Sequence, residues 1–142
     1  MSTVTISREI RIPAPPAVVW SVLATPSQQS VVDQRVRLIS EWGEPGTVDS
    51  GYELSMRGRL PMRLHVTDAV AGERHVVAIE WNGRTRGSQE AHLEPDGVGC
   101  VLMYTMSIEV PLGLRSLQRI YGEKRLGKWL DAVARVSTAV GE

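Results

Sequence analysis

Histidine, cysteine, arginine and tyrosine are the side chains of this chain whose types could bind a metal, attack a carbonyl or move a proton, so their spacing is weighed first. His65, His75 and His92 fall on three separate alternating segments, with no His, Cys or acidic partner at close spacing. A zinc site needs three or four converging ligands, so no metal is expected. His65 shares a side with Arg63 and Thr67, and His92 with Glu90 and Glu94, which marks both as surface histidines. His75 shares a side with Val77, Ile79 and Trp81 and points inward near a strand end, where a core or edge histidine is the plainer reading than a general base. Cys100 stands alone, so it forms no internal disulfide, and it opens a strand beside a turn rather than the helix N-terminus that would activate a thiol. No Gly-x-Ser-x-Gly elbow, Gly-x-Gly-x-x-Gly turn or Walker pattern occurs, and Gly97-Val98-Gly99 reads as a hairpin. Covalent catalysis, nucleotide use and a cofactor are therefore not expected.

The elements that must position these groups follow from periodicity. Val4 to Ile12 alternates, with Val4, Ile6, Ile10 and Ile12 on one side, and Arg8 interrupts that apolar face. Pro16 suits the first turn of a short helix through Ala24, and Ser27 is placed to cap a further turn through Val31. Period two then persists through segments near Val36 to Glu44, Val48 to Arg57, Leu60 to Val70, Arg74 to Trp81, Thr85 to Leu93 and Cys100 to Val110. The separators are short and turn-forming, Asn82-Gly83 and Asp96-Gly97 among them, so consecutive strands should be neighbours in an antiparallel sheet. Beyond Pro111 and Gly113 the chain is helical to Val140. At about 100° per residue, Leu126, Trp129, Leu130, Val133, Val136 and Val140 share one face, with Lys124, Lys128, Asp131 and Arg135 opposite. Leu114, Leu117, Ile120 and Tyr121 lie on a face turned about half a circle away. Either the helix kinks near Gly122 or its first half leaves an apolar stripe exposed.

This order resembles the START-like, or helix-grip, superfamily. Ile10-Arg11-Ile12-Pro13-Ala14-Pro15 followed by Val18-Val19-Trp20-Ser21-Val22-Leu23 looks like its opening motif. Gly46-Thr47-Val48, Gly51 before Tyr52-Glu53-Leu54, and the hairpin from Leu93-Glu94-Pro95 to Gly99-Cys100 are also similar. Within the superfamily the chain is most similar to the bacterial polyketide cyclase/dehydrase and lipid-transport branch. The resemblance implies an α+β helix-grip fold over residues 1 to 142: a curved seven-stranded antiparallel sheet around a long C-terminal helix, with an apolar cavity between them. Family members often carry an aromatic, commonly Trp, in the penultimate strand where this chain has Ala91 or a neighbour, so the cavity is expected to be larger here or filled by Trp81.

Alternation assigns that cavity Tyr52, Leu54, Met56, Met62, Leu64, Trp81, Gln89, Tyr104 and Met106, with Leu117 and Tyr121 at its entrance. Most of these also read simply as core. Tyr52, Trp81 and Tyr104 differ, because a buried O–H or N–H must find a partner, which in a cavity can be the ligand. The methionines suit a pliable wall. Arg8, in register with Ile6 and Ile10, reads either as an anchor for an anionic ligand group or as an edge residue reaching solvent.

Composition bounds the function. The chain has 142 residues, 42% hydrophobic and 23% charged, which suits one folded domain. Sixteen basic residues balance sixteen acidic ones, so no field recruits nucleic acid or an anionic membrane. Without an apolar run of about 18 residues, or a charged-then-apolar leader, a cytoplasmic protein without stable membrane insertion is expected. Three readings follow. The first is binding, or binding with transport, of a small hydrophobic molecule such as a lipid, isoprenoid or polyketide. The second is a polyketide cyclase or dehydratase working by acid/base chemistry and enolate stabilisation, with Arg8, His75, Tyr52 and Tyr104 as its groups. The third is a protein-contact module, monomer or homodimer, using the stripe from Leu114 to Tyr121.

Overall fold

The computed structural model describes residues 2–56, 61–111 and 113–141. Arg57, Gly58 and Leu60, which belong to an expected strand end, turn and strand start, lie outside them, as does the side chain of Leu117. Strand β1 spans Ser2–Ile12 and is followed by α1 (Pro16–Ala24), a 3₁₀ turn (Pro26–Gln28) and α2 (Gln29–Val32). Strands β2 (Val36–Trp42), β3 (Gly51–Met56), β4 (Met62–Val70), β5 (Arg74–Trp81), β6 (Arg84–Asp96) and β7 (Gly99–Val110) precede α3 (Arg115–Gly141). The strands form one antiparallel sheet in the order β1-β7-β6-β5-β4-β3-β2, so each hairpin places consecutive strands side by side and β1 closes back on β7. This is the helix-grip architecture.

Local chemistry explains the departures from the expected boundaries. Val48 to Ser50 is a turn rather than the start of β3: Asp49 adopts φ 71°, and its N–H donates to the Val66 carbonyl at 2.9 Å. Ser27 caps nothing with its side chain, and Pro16 stands at the start of α1. β-Bulges interrupt register between Leu38 and Ser40, Val66 and Asp68, and Ile79 and Glu80, each adding local twist to the sheet.

Helix α3 runs unbroken through Gly122. A Cβ at residue 122 would come within 2.5 Å of the Ile6 side chain, so glycine here lets the helix approach β1 closely rather than break. Ile120 and Tyr121 in the first half of α3, and Leu114 just before it, are accordingly exposed, the second of the two alternatives posed by the phase change. In the second half Leu126, Leu130, Val133 and Ser137 are buried, whereas Val140 is exposed.

The core forms two clusters. The larger joins β1, β6, β7, α1 and α3 through Val4, Ile12, Val19, Leu102 and Val133; the smaller joins β3, β4 and β5 through Tyr52, Leu54, Leu64, Val66, Val77 and Ile79. No helix among the described residues is long and apolar enough to cross a membrane.

Candidate functional site

Where the two clusters meet, the side chains stop short of filling the interior. A void of about 10 Å³ lies among Leu23, Gln29, Tyr52, His75, Val77, Gln89, Ala91, Tyr104 and Trp129. Strand register accounts for its position. His75, Ala91 and Tyr104 stand side by side across β5, β6 and β7, and Val77, Gln89 and Met106 form the adjacent row. The methyl of Ala91 between an imidazole and a phenol leaves the gap. At about one water's volume, this is far smaller than the ligand-sized cavity that the family resemblance implied.

The lining is unusually polar for a core. Tyr52, His75 and Tyr104 are buried, and Gln89 is half-buried. Burial keeps both phenols protonated by pushing their pKa values well up, with the neighbouring Tyr52 adding to the effect on Tyr104. Burial lowers His75 to about 4, so its imidazole is neutral at pH 7. Its Nε2 has no hydrogen-bond partner among the described residues, and its ring meets Trp20 edge-on with centroids 6.2 Å apart. Trp20 is itself anchored, its indole N–H donating to the Arg74 carbonyl at 3.0 Å. Tyr104 packs on Trp129 with centroids 4.9 Å apart, and the Gln29 amide donates to the Leu23 carbonyl at 3.3 Å. Phenol O–H groups, a free imidazole nitrogen and an amide can together donate to and accept from a small oxygen- or nitrogen-bearing molecule.

Of the expected cavity residues, Tyr52, Gln89 and Tyr104 line the void, and His75 joins them. Leu54, Met56, Met62, Leu64 and Trp81 do not line it; Leu54, Met62, Leu64 and Trp81 pack in the cluster on neighbouring strands β3 to β5, and Met56 stands half-buried at the end of β3. Met106 is packed against the larger cluster, one row from Tyr104. Arg8 pairs with Tyr104 in register but is exposed, since β1 is an edge strand and its side chain reaches solvent. Gln29, Leu23 and Trp129 belong to the lining without having been assigned to it, although helical phase turns both Leu23 and Trp129 inward.

A second concavity of about 480 Å³ opens to solvent between α2 and α3. It is lined by Val32, Asp33, Arg35, Tyr121, Lys124, Arg125, Lys128, Trp129 and Ala132, so Tyr121, expected at a cavity entrance, belongs to this outer groove. Trp129 lines both spaces.

Comparison with known proteins agrees with this architecture. A Mesorhizobium loti protein superposes with a TM-score of 0.74 at 13% identity, over 92% of this chain and 94% of that one. The Aha1 dimer from Colwellia psychrerythraea superposes at 0.72 with 16% identity, over 92% and 93%. Norcoclaurine synthase from Thalictrum flavum, in complex with dopamine and hydroxybenzaldehyde, superposes at 0.69 with 15% identity, over 97% and 88%. At such identities the likeness is one of fold. Among curated proteins, none matches. The family model described as polyketide cyclase / dehydrase and lipid transport matches residues 3–138, and the chain belongs to that family.

Proposed function

We propose that the chain binds a small, mainly apolar molecule in the space between sheet and α3, with Tyr52, His75, Gln89 and Tyr104 meeting its polar atoms. The observation that carries this reading is the polar lining of an otherwise apolar interior. A buried polar group without a partner costs roughly 1–3 kcal/mol, and the His75 Nε2 that stands without one beside two buried phenols is an expensive way to fill a core unless a ligand completes it. Because the void is water-sized, the ligand must widen it, and the half-buried Met106 beside it can yield without a rigid shape being lost. The fold supports such use: norcoclaurine synthase, of the same fold, holds two small aromatic molecules.

Native mass spectrometry of the protein purified gently from its host, with extraction of any retained molecule, identifies the ligand. Its affinity should then fall about tenfold in Gln89→Leu or Tyr104→Phe, the worth of one hydrogen bond to a group that is otherwise left unpaired. Wild-type affinity in both variants would remove the site.

The neutral His75 imidazole favours a second reading, a cyclase or dehydratase, because a proton acceptor beside protonated phenols can remove an acidic C–H while an enolate oxygen is stabilised. Arg8 has no place in it, being exposed. Loss of turnover in His75→Gln with ligand affinity retained would separate catalysis from binding.

A further inference from the structure

The groove between α2 and α3 differs from the rest of the surface in charge and in what lies behind it. Four cations, Arg35, Lys124, Arg125 and Lys128, line it against the single carboxylate of Asp33, in a chain whose overall charge balances. Asp33 is already committed: the Arg35 guanidinium grips it through two hydrogen bonds of 3.0 Å and holds its carboxyl below the ordinary range. Lys124, Arg125 and Lys128 make no ion pair among the described residues. They rise from the same stretch of α3 as Trp129, whose indole forms the floor of the groove on one side and packs on Tyr104 in the wall of the void on the other. One aromatic side chain therefore borders both an open cationic vestibule and the polar-lined interior.

Resting on the ligand-binding reading above, we infer that this groove receives the acidic head of an amphipathic anion whose apolar body passes Trp129 into the interior. The cations then serve twice. They raise the local concentration of anions at the mouth, and they hold the head group where it remains hydrated while the body is desolvated. A neutral molecule of the same shape gains only the second, apolar part of the binding. Trp129 is the piece that must rotate or shift, because the space behind it is too small for any chain in the form described.

The test compares decanoate, decan-1-ol and decyltrimethylammonium by calorimetry on the whole chain, with folding of each variant checked by thermal unfolding. Decanoate should bind about tenfold more tightly than decan-1-ol at low ionic strength, and the preference should fade as salt shortens the screening length from about 30 Å to a few ångströms. In Arg125→Gln/Lys128→Gln, both exposed positions where folding should survive, that preference should shrink to within about twofold while decan-1-ol affinity stays unchanged. Trp129→Phe should speed association of all bound probes and leave the anion preference intact. Equal binding of decanoate and decan-1-ol by the wild type, or an anion preference that survives the double substitution, overturns the head-group assignment and leaves the ligand-binding reading standing. Failure of all three probes to bind overturns both.

Discussion

Lowering the pH from 7 to 4 should destabilise this protein through one residue, His75. An unfolded histidine titrates near 6.5, and burial lowers the folded value to about 4. Between those values the unfolded chain binds a proton that the folded chain refuses, so stability is fully present above about pH 6.5 and drains away as pH falls toward 4. The gap of about two to three units, at about 1.4 kcal/mol each, corresponds to roughly 3 kcal/mol. Among the described residues no carboxylate lines the void beside the ring: Tyr52, Tyr104, Gln29, Gln89, Trp129 and apolar side chains share it, Trp20 meets the ring edge-on, and Nε2 has no partner. Urea unfolding at half-unit pH steps measures the profile, and His75→Gln supplies the reference, since it keeps a neutral polar side chain and removes the titration. Other groups also titrate in this range, but they contribute equally to both proteins, so the difference between the two curves isolates His75. The wild type should lose roughly 3 kcal/mol more than the variant over this interval. Parallel curves would refute the argument, as would an imidazole that titrates near 6.5 by NMR in the folded state.

Leu102→Ala, at a fully buried position between β1 and β6, should cost about 2–5 kcal/mol in urea unfolding without altering the sheet. Gly122→Val places a branched side chain against Ile6 and should cost about 1–3 kcal/mol, part of which Ile6→Ala in the same chain restores in a double-mutant cycle. The Cys100 thiol is inaccessible, and burial pushes its pKa up, so alkylation should be slow in native protein and rapid in urea. Ala91→Leu fills the gap between His75 and Tyr104; it should abolish ligand binding while leaving the far-ultraviolet circular dichroism unchanged.

Much of the fold was legible because a sheet with one buried face writes a period of two into its sequence. Tyr52, Leu64 and Ile79 are successive cross-strand neighbours and each sits on the apolar side that alternation assigned. Where one residue is added, as at the bulges after Leu38 and Val66, the alternation slips, and the strand reading cannot tell a bulge from a boundary. The candidate site was less legible, because alternation reports which face a residue takes and not whether a neighbour fills the space above it. Met62 and Leu64 face inward as Tyr52 does, yet only Tyr52 borders the void, since the distinction depends on where α3 and α1 lie across the strands. Gln29 was invisible for the same reason: it occupies a four-residue helix with no periodicity of its own, and only its tertiary position brings it to the void.

Trp129 unites these observations. On the helix it belongs to the apolar face, and its contact with Tyr104 holds α3 against β7. Such a contact between aromatic rings contributes about 1 kcal/mol beyond the area it buries, too little to fix the side chain permanently against a ligand that buries an apolar body. A ring that both stabilises the closed core and borders the open groove sets up a competition: whatever displaces it must replace its packing on Tyr104 and, in exchange, reaches the unpartnered Nε2 of His75 and the polar side chains of Tyr52 and Gln89 that line the void with it. A purely apolar molecule satisfies the first condition and not the second, whereas a polar one without bulk satisfies the second and not the first. Under the ligand-binding reading proposed above, the cost of moving Trp129 selects for amphipathic molecules before any particular hydrogen bond is made.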